Sequence, residues 1–347
     1  MDTAAHDPHV ALQAKLQVQA VQKVERIAVG LNAAILAVQG DEPVVAVVAE
    51  RREERNSGDG ALPCGLFSPR LHDGSLETAL RSCVQAKVGI KLGATRQICT
   101  LGAPVASNGS AQAANEPGVA VSYLALVDPS RINDHDGASW RSWYAYFPWE
   151  DWRRGKPGCL TEIIEPRLRA WARSGSDREA DERGQRMRIA FGCDGTGWDE
   201  EKALDRYELL SEAGLLEDTR NGSVASADPV FARPLPRLRD QMLGDQLHVL
   251  ASAIGELRRS VKRQPVVFEL MPGVFTLFEL QKTVEAILGP HLHKQNFRRL
   301  VETGGLVEPT GEFRLRTGGR PAQLYRFRRD VLLERPAPGV RIRAGRG

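Results

Sequence analysis

FTLFELQKTVEAILGPHLHKQNFRRLVETGG, residues 275–305, decides how this chain is read. Thr276 precedes an apolar-periodic run and Glu279 stands three residues on, the spacing of a capping box at a helix start. Gly289-Pro290 ends that helix, because glycine permits the turn and proline cannot continue the hydrogen-bond ladder. A second helix is expected over KQNFRRLVETGG, closing at Gly304-Gly305. Two helices joined by a tight turn make a helix-turn-helix. On the second, Phe297, Leu300 and Val301 are spaced to face a core, which leaves Lys294, Gln295, Asn296, Arg298 and Arg299 pointing outward. Gln and Asn pair with adenine edges, Arg with guanine, and Lys or Arg with phosphates, so the pattern suits a helix lying in the major groove of DNA.

Working outward, LVEPTGEFRLRTGGRPAQLYRFRRDVLL follows. It predicts strands at roughly Glu312–Arg316 and Gln323–Arg328 around a glycine-rich tip, Thr317-Gly318-Gly319-Arg320-Pro321. A hairpin tip carrying an arginine is a wing suited to the sugar-phosphate backbone or minor groove. Thr276, Thr317 and Arg320 therefore join the five helix residues as expected DNA contacts. The alternative is a winged helix that makes only protein contacts. Charge favours DNA: the net charge of +3 hides 18 Lys/Arg against 9 Asp/Glu from Glu256 onward, leaving 29 against 35 before it. A basic module on an acidic body suits binding driven by counterion release from phosphates.

Upstream, GDQLHVLASAIGELRRSVKR has apolar residues at helical spacing, Leu247, Leu250, Ala251, Ile254, Leu257 and Val261, and is expected as a linker helix. Near the front, RIAVGLNAAILAVQ and EPVVAVVAER are strand-like runs turning at Gly40-Asp41. After LPCGLFSP comes a helix, SLETALRSCVQAKVG, which Ser75 or Asp73 begins and Gly89 ends. ATRQICTLG and GVAVSYLALVD are further strands, with a loop at Ser107–Glu116 between them. Trp140, Trp143, Tyr144, Tyr146 and Trp149 crowd together between Ser139 and Arg153; a core wall or dimer interface is favoured over a base-stacking platform. Between residues 155 and 245, EIIEPRLRAWARS and EEKALDRYELLSEAGLL are helical, SGSDREADERGQR is expected as a loop, and FGCDGTGW as a loop after a strand.

The SLETALRSCVQAKVG helix resembles the metal-binding helix of Nudix hydrolases, with Arg81 at the motif arginine and Gly89 at the closing glycine. The resemblance implies a nucleotide site, for which Glu77 and Arg81 are the candidates. Where the motif has glutamates this chain has Cys83, Gln85 and Ala86, which cannot supply the oxygen ligands a hard cation needs. No catalytic residues and no metal are expected, and no cofactor is required. In combination, the front domain, GDQLHVLASAIGELRRSV, HKQNFRRLVETGGLVEPTG and GGRPAQLYRF resemble the Nudix-related transcriptional regulators of bacterial NAD metabolism. LPCGLFSP, LETALRSCVQAKVG and VSYLALV look more like the branch that represses NAD biosynthesis genes, although Leu101-Gly102-Ala103 stands where that branch tends to carry Phe-Gly-Asp. The resemblance implies a homodimeric repressor on a palindromic double-stranded operator, with ADP-ribose or NAD as effector. The alternative is a Nudix-type hydrolase of ADP-ribose or a related nucleoside diphosphate derivative.

The expected fold class is α+β: a Nudix-like α/β/α sandwich followed by a winged helix-turn-helix. The domains are an N-terminal tail or helix at 1–23, the Nudix-like domain at 24–154, a connecting helical segment at 155–243, the linker helix at 244–263, the winged helix at 264–335 and a tail at 336–347. Five scattered cysteines without CxxC spacing indicate neither a disulfide framework nor a zinc site. No Cys or carboxylate cluster accompanies His291 and His293, FGCDGTGW fits no phosphate-binding loop, and no GxSxG elbow occurs. No apolar run is long enough to span a membrane and no signal peptide is evident, so a cytoplasmic protein without membrane partners is expected.

Overall fold

The computed structural model describes residues 27–49, 60–102, 118–128, 130, 138–216, 242, 245–315, 321–334 and 339–340. Strands Ala28–Gln39 (β1) and Glu42–Ala49 (β2) form the hairpin expected at Gly40-Asp41. Along β1, Leu31, Ala33 and Ile35 belong to one core cluster while Ala34, Leu36 and Val38 belong to another. A strand buried on both faces is apolar throughout, which is why LNAAILAV lacks polar alternation. Gly60–Ala61 (β3), Cys64–Leu66 (β4), Thr95–Gly102 (β5), Gly118–Leu126 (β6) and Ala138–Ser142 (β7) complete the sheet. Its order is β3-β2-β1-β6-β5, with β4 also paired to β1 and β7 to β2. The β1–β6 pairing is parallel.

Helix Leu76–Val88 (α1) covers one face through Ala79, Leu80, Val84 and Val88. Its ends are as the sequence predicts: the Ser75 hydroxyl accepts from the Thr78 N–H, and Gly89 terminates it. Of the aromatic tract, Trp140 packs on this same side, while the rest, which includes a short helix Trp143–Tyr146 (α2), lines the core on the other face. Trp143, Tyr144, Tyr146 and Trp149 are buried there, so the tract is a core wall.

Beyond a π-helical turn at Leu160–Ile164 lie Glu165–Arg173 (α3), Asp177–Phe191 (α4) and Ala203–Glu212 (α5). Most of SGSDREADERGQR, expected as a loop, is therefore helix. Ser176 and Glu179 form a capping box, and Arg178–Glu182 and Arg183–Glu179 pair across one turn. Only Met187, Ala190 and Phe191 of α4 are buried, too sparse an apolar stripe to show as a period. FGCDGTGW consequently follows a helix, capped by Gly192, and not a strand.

Gln246–Arg263 (α6), expected as a linker, packs against the sheet face opposite α1, with Leu247, Leu250, Ala251, Ile254, Leu257 and Val261 buried. Arg96 of β5 pins it there by donating to Glu256 (2.5 Å), Ser260 (2.7 Å) and Gln264 (2.7 Å). The result is the expected α/β/α sandwich. The same core continues without a break into Leu277–Leu288 (α7) and Lys294–Thr303 (α8) through Leu280, Val284, Ile287, Phe297 and Val301. A 3-10 turn at Val266–Leu270 precedes α7. Val307–Arg314 (β8) and Ala322–Phe327 (β9) form the antiparallel hairpin, β8 starting earlier than expected and ending before Arg316. A one-turn helix, Val331–Glu334 (α9), follows. No helix among the described residues is long and apolar enough to cross a membrane.

A buried ionic cluster locks the junction. Glu150, Arg206 and Arg258 are essentially without solvent exposure. Arg206 donates to both Glu150 oxygens (2.5 and 2.9 Å) and to the Ala190 and Asp199 carbonyls (2.8 and 2.9 Å). Arg258 bonds Glu150 as well, and its Nε donates to the Ile287 carbonyl at the end of α7 (2.8 Å). The Tyr144 hydroxyl donates to the neighbouring Ala286 carbonyl (2.8 Å). Carbonyls in the last turn of a helix lack partners within it. Here groups from α2 and α6 satisfy them, so the helix that leads into α8 is held by elements packed on the sheet.

Candidate functional site

The two faces of α8 are chemically opposite. Phe297 and Val301 are buried, while Lys294, Gln295, Asn296, Arg298 and Arg299 are all exposed. Leu300, expected in the core, is 36% exposed and belongs to the rim of the outer face. Arg298 lies 3.5 Å from Glu302 in a half-exposed pair one turn along, too solvated to immobilise it. No side chain caps the N-terminus of α8, which leaves first-turn amides free to meet an anion such as a phosphate oxygen.

Thr276 is placed differently from the other expected contacts. It is 5% exposed, and its hydroxyl accepts from the Glu279 N–H (3.2 Å) and lies 3.1 Å from that residue's carboxylate. The hydroxyl is spent on the capping box. Glu279 also pairs with Arg314 of β8 (2.5 Å), tying the wing's first strand to the start of α7. Thr317 and Arg320 lie outside the described residues.

The turn between α7 and α8 is held by two residues that carry no signal in the sequence. Glu285, 5% exposed, accepts from the Leu292 N–H at 3.0 Å, and Gln281 donates to the Leu292 carbonyl at 2.9 Å. Gln281 also donates to Glu285 (2.8 Å), so both polar groups of one turn residue are clamped from α7. Lys282 (3.2 Å) and His291 (3.4 Å) flank the other carboxylate oxygen. Burial pushes the Glu285 carboxyl up, but the Leu292 amide, Gln281 and Lys282 outweigh it and hold it below the usual carboxylate range. Replacing Glu285 with leucine strands the half-buried Leu292 N–H. A loss of about 1–2 kcal/mol of unfolding free energy is expected in urea denaturation.

On α1, Glu77 and Arg81 lie 3.8 Å apart on the surface, and Arg81 donates to the Leu92 and Gly93 carbonyls, both at 2.6 Å. Part of its donor set thus supports the loop after α1. The face toward β4 is closed. The Cys83 thiol donates to the Cys64 carbonyl at 3.0 Å and the Lys87 ammonium to the same oxygen at 2.5 Å. A Cβ on Gly65 would come within 2.8 Å of the Cys83 sulfur, so glycine permits this close approach. A thiol and an ammonium occupy this surface, and an ammonium repels a divalent cation. Among the described residues no group of three or more His, Cys, Asp or Glu side chains is placed to hold a metal ion.

Residues 267–327 match the family model described as the NrtR DNA-binding winged helix domain. This segment is similar to the DNA-binding winged helix domain of NrtR. An ADPR responsive transcriptional repressor, NtrR from Acinetobacter baylyi, is 42% identical over 83 residues, covering 24% of this chain and 33% of that protein. The chain thus matches about a third of that relative's length. Shewanella oneidensis NrtR, solved in complex with a 27mer DNA, shares the architecture at TM-score 0.50 and 18% identity, over 87% of this chain and 94% of that one. The NUDIX domain of the same protein, solved with ADP ribose, matches 38% of this chain and 82% of its own at 19% identity and TM-score 0.28. The chain is an α/β/α sandwich followed by a winged helix, the architecture it shares with Shewanella oneidensis NrtR.

Proposed function

We propose that this chain is a transcriptional repressor that binds double-stranded DNA through α8 and senses ADP-ribose or NAD through its Nudix-like domain. The observation that carries the reading is the outer face of α8: three cations and two amides, solvent-exposed on a helix whose other face is anchored in the core. Amides reading adenine and arginines reading guanine or phosphate are the chemistry of a recognition helix. Genes of NAD biosynthesis are the proposed targets, and a homodimer on a palindromic site is the proposed assembly. The effector follows from the A. baylyi relative, described as ADPR responsive.

The domain is proposed to bind the nucleotide without efficient turnover. Cys83, Gln85 and Ala86 stand where a hydrolase needs carboxylates, and Lys87 adds a positive charge on the same helix. Glu77 and Arg81 retain enough exposed polar surface to contact a diphosphate. Binding reaches the winged helix by way of α6 and α7, whose contact runs through Arg258 and the Ile287 carbonyl. The nucleotide shifts DNA affinity only if it binds one arrangement of the two domains better than the other.

Thermal unfolding with added ADP-ribose or NAD, beside a turnover assay with Mg²⁺, tests this reading. A ligand at about 100 times its Kd should raise native-state stability by about 2.7 kcal/mol, with no product formed. Mg²⁺-dependent hydrolysis would favour the Nudix hydrolase instead, and no shift with either nucleotide would remove the sensing role.

A further inference from the structure

The helical segment between the aromatic tract and α6 carries a surface cleft of about 230 Å³ between α3 and α4. Arg169 and Arg173 line it from α3 and Arg188 from α4, with Asp181 and Asp194 as its acidic members. Three guanidinium groups against two carboxylates leave it net positive. Arg169 is already oriented, because its two terminal nitrogens donate to the two Asp194 oxygens at 3.1 and 2.7 Å. Arg173 and Arg188 are exposed and form no salt bridge among the described residues.

Another residue lining the cleft supplies a further observation. Gly184 lies inside α4, where glycine is disfavoured because the backbone gives up more freedom than with any other residue. A Cβ built there would meet nothing within 4 Å, so no packing contact requires glycine. Its φ is not in the left-handed region either. The missing side chain leaves this part of the cleft wall open.

We propose that this cleft binds a small phosphorylated molecule, a phosphomonoester or diphosphate. Arg173 and Arg188 engage the phosphate oxygens and Arg169, fixed by Asp194, completes the site. Planar guanidinium groups suit this role because each offers paired donors that match two phosphate oxygens. The inference is independent of the DNA reading, since neither α3 nor α4 belongs to the winged helix.

Isothermal titration of the full-length protein with inorganic diphosphate at about 0.15 M salt tests it under physiological screening. Wild type should give a saturable isotherm. Arg173→Gln/Arg188→Gln and Gly184→Leu should each bind at least ~10-fold more weakly, the first by losing charge-assisted bonds and the second by filling the cleft. Gly184→Leu raises helix propensity, so weakened binding with a melting temperature at or above that of wild type is not loss of fold. Arg186→Gln removes a charge from the same helix outside the cleft and should titrate like wild type.

Absence of saturable binding to wild type, or wild-type affinity in both cleft variants, would overturn the proposal. So would an equal loss in Arg186→Gln, which would make the effect one of general charge. A parallel titration with a short DNA duplex separates the remaining case: cleft variants impaired only toward duplex would make these arginines a backbone contact, and the proposal would be wrong.

Discussion

Glu150→Gln is expected to lower the free energy of unfolding by about 3–5 kcal/mol, because removing one partner of a buried ionic cluster leaves uncompensated charge in a dry interior. Two arginines depend on this carboxylate, and both are fully buried. Arg206 keeps its bonds to the Ala190 and Asp199 carbonyls and its position over the Trp198 ring, 3.8 Å away, but these carry no compensating negative charge. Glu212→Gln is the matched control: its partner Arg186 is bonded with similar geometry, but both side chains are about half exposed. Solvated pairs of that kind contribute at most about 1 kcal/mol. Urea denaturation of the two variants beside wild type reads the difference, and a loss below about 1 kcal/mol for Glu150→Gln would contradict the role given to the cluster.

The same cluster has a pH signature. Burial pushes the Glu150 carboxyl up, but Arg206 and Arg258 outweigh it and hold it below the usual carboxylate range. A carboxyl depressed in the folded state contributes stability above its unfolded value and loses that contribution as pH falls through its folded value. Wild type should therefore lose stability on acidification more steeply than Glu150→Gln, which no longer has this group to titrate.

Arg298→Ala/Arg299→Ala is expected to weaken operator binding by about 1–3 kcal/mol for each arginine that reads a base edge, and to flatten the salt dependence by about one unit of slope for each that holds a phosphate. Arg299 should account for the larger share, because Arg298 has Glu302 beside it and Arg299 has no ion pair among the described residues. Both side chains are exposed, so the fold should survive with a change in stability of no more than about 0.5 kcal/mol. A gel-shift titration that returned wild-type affinity from a folded double variant would contradict the assignment of α8 as the recognition helix.

What the sequence showed plainly was local. The capping box of Thr276 and Glu279, the α1 caps at Ser75 and Gly89, and the two-faced pattern of α8 are set by residues three or four apart, and the structure contains each. The apolar period of α6 was legible too, but not its partner: a helix stripe says that something covers it, and only the fold shows this to be the sheet. α4 escaped because its helix is carried by capping and surface ion pairs, with little apolar burial. The Glu150 cluster escaped for a different reason. Glu150, Arg206 and Arg258 are 56 and 108 residues apart in the pairings they make, and no local spacing announces a contact of that range. Glu285 resembles an ordinary surface partner for Lys282, and its clamp on Leu292 appears only once the turn is folded back over α7. Lys87, likewise, is an unremarkable helix lysine until β4 brings the Cys64 carbonyl to it.

The most direct test of the central claim, that the outer face of α8 reads a specific duplex, is to let the full-length protein select from sheared genomic DNA at about 0.15 M salt and sequence what it retains. The account predicts enrichment of a few discrete sites, each with two related half-sites about 10 base pairs apart or a multiple of that, as a symmetric dimer requires. Enrichment should vanish for Arg298→Ala/Arg299→Ala. Recovery indistinguishable from the input, or equal recovery by the variant, would contradict it.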